Sequence, residues 1–263
     1  MVAGKTWETH LAIDFTKEIV NTRTCCPVVE LRQYTLVPGG REVLVTLFER
    51  EFVESQEATG LIVIGQFRDL NNPDRFVWLR GFTDMASRAR QLAEFYGGPV
   101  WKKHREAANA TMVDSDNVLL LRPAPGSSGF SIENAKRAPV GPKQIPNGLT
   151  VATIYYLIGS ATGDFADFFE TELKPALTKT GALVLATFVT ENHPNTFPAL
   201  PVRENVNVFV CFSRFAHREA YEQNASAFVS FTQEKEIAQK LSEFVEGQAE
   251  ALMLAPTARS LLR

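Results

Sequence analysis

The spacing of apolar and polar positions changes period several times between Val29 and Pro123, and each change marks an element. Val29 to Leu36 is rich in β-branched, aromatic and long side chains and stops at Pro38-Gly39-Gly40, which predicts a strand followed by a turn. Val43, Leu44, Leu47, Phe48 and Phe52 recur at helical spacing, and Gly60 is placed to cap that helix. Leu61 to Phe67 and Phe76 to Phe82 read as strands around the turn formers of Asp69 to Asp74, so a hairpin is expected. Thr83 is the expected N-cap of a helix reaching Tyr96. Gly97-Gly98-Pro99 interrupts it, Trp101 to Ala110 resumes it, and Asn117 to Arg122 closes the unit as a strand. The resulting order, β-α-β-β-α-β, is the ferredoxin-like unit, which covers one sheet face with two helices and leaves the other bare.

The chain then repeats the pattern. Tyr34, Leu36, Phe48, Glu51, Gly60, Val63, Phe67 and Pro73 recur as Tyr155, Leu157, Phe169, Glu172, Gly181, Val184, Phe188 and Pro194, each offset by 121 residues. Beyond them the offset is 133, as in Phe76 and Phe209 or Leu121 and Leu254, so the second copy holds 12 extra residues between Asn192 and Asn207. The shared positions are apolar side chains, a glycine and prolines, which is what two copies of one fold keep in common. The two bare sheet faces need cover, and each copy supplies it for the other. The expected fold class is α+β: two tandem ferredoxin-like domains packed sheet to sheet as a pseudo-dimeric α/β barrel. Expected boundaries are an N-terminal extension at 1–27, a first domain at 28–123, a Pro/Gly-rich linker at 124–148, and a second domain at 149–263 carrying the insertion. Leu11, Ile13, Phe15, Ile19 and Val20 leave the extension as either a helix packed on the barrel or an ill-ordered segment.

Composition narrows the partners. The 263 residues carry 27 Lys+Arg against 30 Asp+Glu, a net charge of -3, without the basic excess that nucleic-acid backbones demand. No apolar run approaches the roughly 18 residues that span a bilayer, and charges interrupt the first thirty positions, so a cytoplasmic protein is expected. Cys25, Cys26 and Cys211 form no C-x-x-C, and the adjacent pair cannot easily bridge, so reduced thiols are expected.

Several fragments together resemble the NIPSNAP family: Glu30-Leu-Arg-Gln-Tyr34 ahead of Pro38-Gly39, Gly65-Gln-Phe67, Phe76-Val-Trp-Leu79, and Asp84-Met-Ala-Ser-Arg88. The resemblance covers about Val29 to Pro123 and extends faintly to the second copy, where Thr153 and Tyr155 take the Arg and Tyr positions of the first motif. It implies the dimeric α/β-barrel fold, here covalently doubled, whose relatives include cofactor-free monooxygenases, isomerases, cyclases and some haem enzymes. Animal members of the family are linked to mitochondria and membrane traffic, but no Arg/Ser-rich transit signal is evident in this chain. Fold is therefore implied more strongly than function.

Strand alternation puts Val29, Leu31 and Gln33 on one face and Glu30, Arg32 and Tyr34 on the other. The apolar set is expected to meet the helices and the polar set to point into the barrel. There Glu30 would hold Arg32, Arg32 would stabilise negative charge, and Tyr34 would donate or relay a proton. The plainer reading, a structural polar cluster fixing the sheets, carries slightly more weight. Trp78 is expected to wall the cavity and Arg80 to sit solvated at its mouth. Gln66, Thr153 and Tyr155 complete the expected substrate contacts.

Metal and cofactor are not expected, because His10, His104, His193 and His217 form no ligand spacing. A haem on His104 is a minor alternative. Hydrolase, P-loop and dinucleotide motifs are missing. Two functions remain: a small-molecule ligand bound in the barrel, with cofactor-free chemistry on an apolar, oxygen-bearing compound, or a non-catalytic scaffold docking a partner through the insertion around Asn195 to Pro201. The insertion also reads as a lid, and equally as a surface elaboration without function. The chain is a pseudo-dimer by itself, with further self-association left open.

Overall fold

The computed structural model describes residues 25–127, 129–132, 134–141, 144–159 and 162–263. The apolar positions expected in the N-terminal extension lie outside these residues. In the first half, β1 (Val28–Leu36) leads into α1 (Gly40–Leu47), a π-helical turn (Phe48–Phe52) and α2 (Val53–Glu57). It continues through β2 (Ile62–Asp69), β3 (Arg75–Phe82), α3 (Met85–Gly97), α4 (Pro99–Asn109) and β4 (Met112–Pro123). The second half runs β5 (Leu149–Tyr156), α5 (Thr162–Phe168), a π-helical turn (Phe169–Leu173), α6 (Lys174–Lys179), β6 (Leu183–Thr190), β7 (Val208–Phe215), α7 (Arg218–Glu234), α8 (Ile237–Phe244) and β8 (Glu250–Pro256). Both halves therefore show β-α-β-β-α-β order. Several boundaries differ from expectation, and β4 starts at Met112 instead of Asn117. Asp84, not Thr83, caps α3, its carboxylate accepting from Ser87 N at 2.6 Å. Pro99 opens α4 at its first turn, where a missing N–H costs nothing.

The eight strands close into one barrel in the order β1-β3-β2-β8-β5-β7-β6-β4. Within each half the pairs are antiparallel, and β2 with β8 and β4 with β6 sew the halves together at both seams. Closure removes every sheet edge, so neither half keeps an exposed ladder. Gly60 and Gly181 end the first helical segment of their halves at φ 96° and 113°, a left-handed backbone that suits glycine in both.

The barrel interior is an apolar core drawn from both halves. Val29, Leu31, Val77 and Leu79 meet Ala152, Ile154, Val210, Phe212 and Leu254 there. Phe130, from the inter-domain segment, is buried among them with its ring 4.8 Å from Phe188 and 5.0 Å from Phe212. This reverses the expected orientation of β1: Glu30, Arg32 and Tyr34 face the helices and the apolar alternates face inward. The reason is hydrogen-bond supply. The interior, lined by aliphatic and aromatic groups from two sheets, offers few polar partners, whereas the helix layer offers several.

Cys25 and Cys26 are bonded to each other, where the sequence predicts reduced thiols. A left-handed backbone at Cys26, φ 66°, lets the neighbouring side chains turn toward one another.

Candidate functional site

A cavity lies in the first half, between the outer face of the sheet and its covering helices. Phe48, Phe52, Phe95 and Trp101 wall it from the helices and Tyr34 and Trp78 from the sheet, and Leu44, Gln56, Tyr96, Asn109, Met112, Ser115 and Leu200 also line it. The space open to the centre of a water molecule is about 80 Å³, several times what one ordered water needs. The aromatic walls interlock edge to face: Phe48 and Trp78 have centroids 4.8 Å apart, and Tyr96 and Trp101 are likewise 4.8 Å apart.

At its sheet side sits a cluster of four charged groups. Glu30 accepts from Arg32 Nη1 at 2.8 Å, Arg80 Nε at 2.7 Å and Arg88 Nε at 2.6 Å. Glu30, Arg32 and Arg80 come from adjacent strands, because β1 and β3 pair Glu30 with Arg80 and Arg32 with Trp78. Arg88 arrives from α3, where it shares a face with Leu92 and Phe95. Burial alone would push the Glu30 carboxyl up, but the three guanidiniums outweigh it and hold the group well below the usual carboxylate range. Arg32 is likewise kept firmly protonated by Tyr34 and Glu30, against the effect of burial.

Each guanidinium reaches further. Arg32 Nε donates to Tyr34 Oη at 3.0 Å, and Arg80 Nη1 donates to Gln56 Oε1 at 3.1 Å and Tyr96 Oη at 3.4 Å. Arg80 Cζ also lies 5.0 Å from the centre of the Trp78 ring. Burial raises the Tyr34 phenol above its ordinary value in spite of Arg32, so it is a proton donor at neutral pH. Its oxygen is occupied as an acceptor, and no acceptor for its proton stands among the described residues. The Trp78 indole N–H is also buried without a partner there.

The second-half insertion reaches across to this site. Asn195 Oδ1 and Thr196 Oγ1 accept from Arg88 Nη1 at 2.9 and 3.2 Å, and Thr196 Oγ1 donates to the Met85 carbonyl at 3.0 Å. Phe197 stacks on Tyr96, with centroids 5.9 Å apart and planes 23° apart. Leu200 follows it into the cavity lining. The insertion thus folds onto the first half as an arm.

The structure brings Glu30, Arg32, Tyr34, Trp78 and Arg80 together, though outside the barrel. Arg80 is fully buried rather than solvated at a mouth, because Glu30, Gln56 and Tyr96 supply its partners. Gln66 faces Trp78 across the β2–β3 ladder, yet its side chain meets Thr257 Oγ1 at 3.5 Å and does not line the cavity. Thr153 and Tyr155 belong to the second half. Tyr155 packs there against Phe165 and Phe209, far along the barrel from β1. At the second-half positions matching Glu30, Arg32, Gln56, Arg80 and Arg88 stand Val151, Thr153, Leu177, Ser213 and Tyr221, so the charge cluster has no counterpart. Both halves keep the π-helical turn, which therefore belongs to the fold and not to the site.

His104 stands 3.5 Å from Glu51 and outside the cavity lining. Among the described residues no three His, Cys, Asp or Glu side chains gather as a metal site, and no helix is long and apolar enough to cross a membrane. Sequence reasoning missed Arg88, Gln56, Tyr96 and the arm's Phe197 and Leu200. Arg88 had a signal: it falls at helical spacing with Leu92 and Phe95, a charge on an apolar stripe. The arm stood out as an insertion, but where it docks did not, because its contacts lie about 100 residues away in sequence.

The NIPSNAP family model matches residues 29–128. No curated protein sequence matches. Among solved structures, a "putative monooxygenase" of Fusobacterium nucleatum superposes with a TM-score of 0.54 at 11% identity, covering 89% of this chain and 93% of its own. A second "putative monooxygenase", of Lactobacillus acidophilus, gives 0.51 at 13%, covering 88% and 94%. A NIPSNAP-like domain protein of Burkholderia xenovorans is 27% identical over 45% of this chain and 95% of its own, with a TM-score of 0.35. The two whole-chain superpositions establish the fold, and residues 29–128 form a NIPSNAP-family domain within an α/β barrel of two ferredoxin-like halves.

Proposed function

We propose that this protein binds a small aromatic or apolar compound bearing oxygen in the first-half cavity, and that Tyr34, backed by Arg32, donates a hydrogen bond to that oxygen in a cofactor-free reaction. The observation that carries this is one aromatic cavity facing two protein donors without acceptors, the Tyr34 O–H and the Trp78 N–H. Arg32 occupies the phenol oxygen and so leaves the proton for a ligand. Arg32 and Arg80 lie behind these donors and favour negative charge on the oxygen they touch. An enolate is the species such a site stabilises, which fits the monooxygenase, isomerase and cyclase chemistry expected from the family resemblance. The names of the two fold neighbours agree with that range, while fold alone assigns no reaction.

Phe197 stacks on Tyr96 and Leu200 lines the cavity, which favours a lid over a docking arm. The test is native mass spectrometry of protein purified from its own host, beside Leu200→Trp, which fills the cavity. A small organic mass retained by the wild type and lost from a folded Leu200→Trp protein is the expected result. A ligand retained equally by both would place binding elsewhere and end this reading.

A further inference from the structure

Beneath the cavity the charges do not balance. Glu30, Arg32, Arg80 and Arg88 are all buried, and Glu30 is the one carboxylate that any of the three guanidiniums touches among the described residues. Their other side-chain partners, Tyr34, Gln56, Tyr96, Asn195 and Thr196, are neutral. Arg80 Nη2 and Arg88 Nη2 are buried with no partner among the described residues. Three buried cations around one anion leave two positive charges without a counter-charge, in a layer where water does not screen them. Folded proteins seldom keep buried charge unpaired, because its desolvation is repaid only by an opposite charge or a full set of hydrogen bonds. The strain falls on Arg88, whose affinity for its proton is lowered by burial and by the charges of Arg80 and Arg32, against the pull of Glu30.

The imbalance adjoins the cavity. Tyr34, Gln56 and Tyr96 line it on one side and bond to Arg32 or Arg80 on the other. Tyr96 Oη accepts from Arg80 and, like Tyr34, has no acceptor for its own proton among the described residues. One side chain therefore separates a bound molecule from two guanidiniums.

We infer that the cavity's ligand is an organic acid, an anionic group on an aromatic or apolar body, whose charge completes the Arg32/Arg80/Arg88 cluster. This rests on the cavity being a ligand site. The anionic group meets the Tyr34, Tyr96 and Trp78 donors in the field of Arg32 and Arg80. The body lies among Phe48, Phe52, Phe95 and Trp101.

The test is calorimetric titration of the full chain at pH 7 with two matched pairs, benzoate with benzamide and 1-naphthoate with 1-naphthamide, which share ring and size and differ in charge. The wild type is expected to bind at least one acid tenfold or more tightly than its amide. Arg80→Gln is expected to reduce that preference below threefold. Arg88→Gln, which keeps two guanidiniums on Glu30, serves if Arg80→Gln does not fold. Equal affinity for acid and amide in the wild type overturns the charge assignment and leaves the cavity standing as a neutral-ligand site. A preference unchanged in the folded variants also overturns it. Binding of neither pair member overturns the cavity reading and this inference with it.

Discussion

Arg88 Nε donates to Glu30 Oε1 at 2.6 Å, and that bond ties helix α3 to strand β1 across 58 positions of sequence. The same helix residue also bonds the arm from the other half. Glu30 is thus the hub through which two strands, a helix and the second half's insertion share one electrostatic arrangement.

Replacing that hub is the sharpest test of the cluster. Glu30→Gln keeps the shape and removes the charge, leaving three buried guanidiniums facing one another, so a loss of about 3–5 kcal/mol in unfolding free energy at pH 7 is expected. The folded carboxyl is held below its unfolded value, so its contribution is present above about pH 4.3 and fades as pH falls below that. Urea unfolding at pH 7 and pH 3 should show the wild type losing stability that the variant never had. A variant as stable as wild type at pH 7 would refute the carboxylate's role.

The alkaline limb follows from the phenols. Burial raises Tyr34 and Tyr155 above the ordinary tyrosine value, so both titrate in the unfolded chain before the folded one. Stability from these groups is complete below about pH 10 and falls as pH rises beyond it. Absorbance at 295 nm should show phenolate appearing together with unfolding. Tyr155→Phe should soften the alkaline loss and shift stability at pH 7 by less than about 1 kcal/mol.

If the arm is a lid, loosening it should change rates more than stability. Phe197→Ala removes one stacked contact worth about 0.5–1.5 kcal/mol. Dissociation of 1-naphthoate, followed by stopped-flow tryptophan fluorescence, should quicken about tenfold, since changes in affinity fall mainly on the off-rate. An unchanged off-rate would mean that ligands leave by another route.

Cys211 gives a test of second-half packing. Burial pushes its thiol up to about 12, with the Ser213 hydroxyl only partly opposing. A thiol-specific disulfide reagent at pH 8 should leave it unmodified in native protein and label it promptly in urea. Rapid native labelling would show that the layer between β7 and its helices opens readily.

The element order, the doubled unit and the set Glu30, Arg32 and Tyr34 on one strand face were legible in the sequence, because periods of 2 and 3.6 are local properties of the chain. Which face turned inward was not. Alternation says that Val29 and Leu31 lie opposite Glu30 and Arg32, and it is silent on which side holds hydrogen-bond partners. That was decided by residues distant in sequence: Gln56, Arg88 and Tyr96 in the helix layer could satisfy charge, while Ile154, Val210 and Leu254 across the barrel could not. The same holds for the site's closure, since Phe197 meets Tyr96 only once the seams β2–β8 and β4–β6 have joined the halves. Pattern alone determined the fold class and the chemical groups. The tertiary structure decided their surroundings, because the cost of burying a charge depends on every group around it.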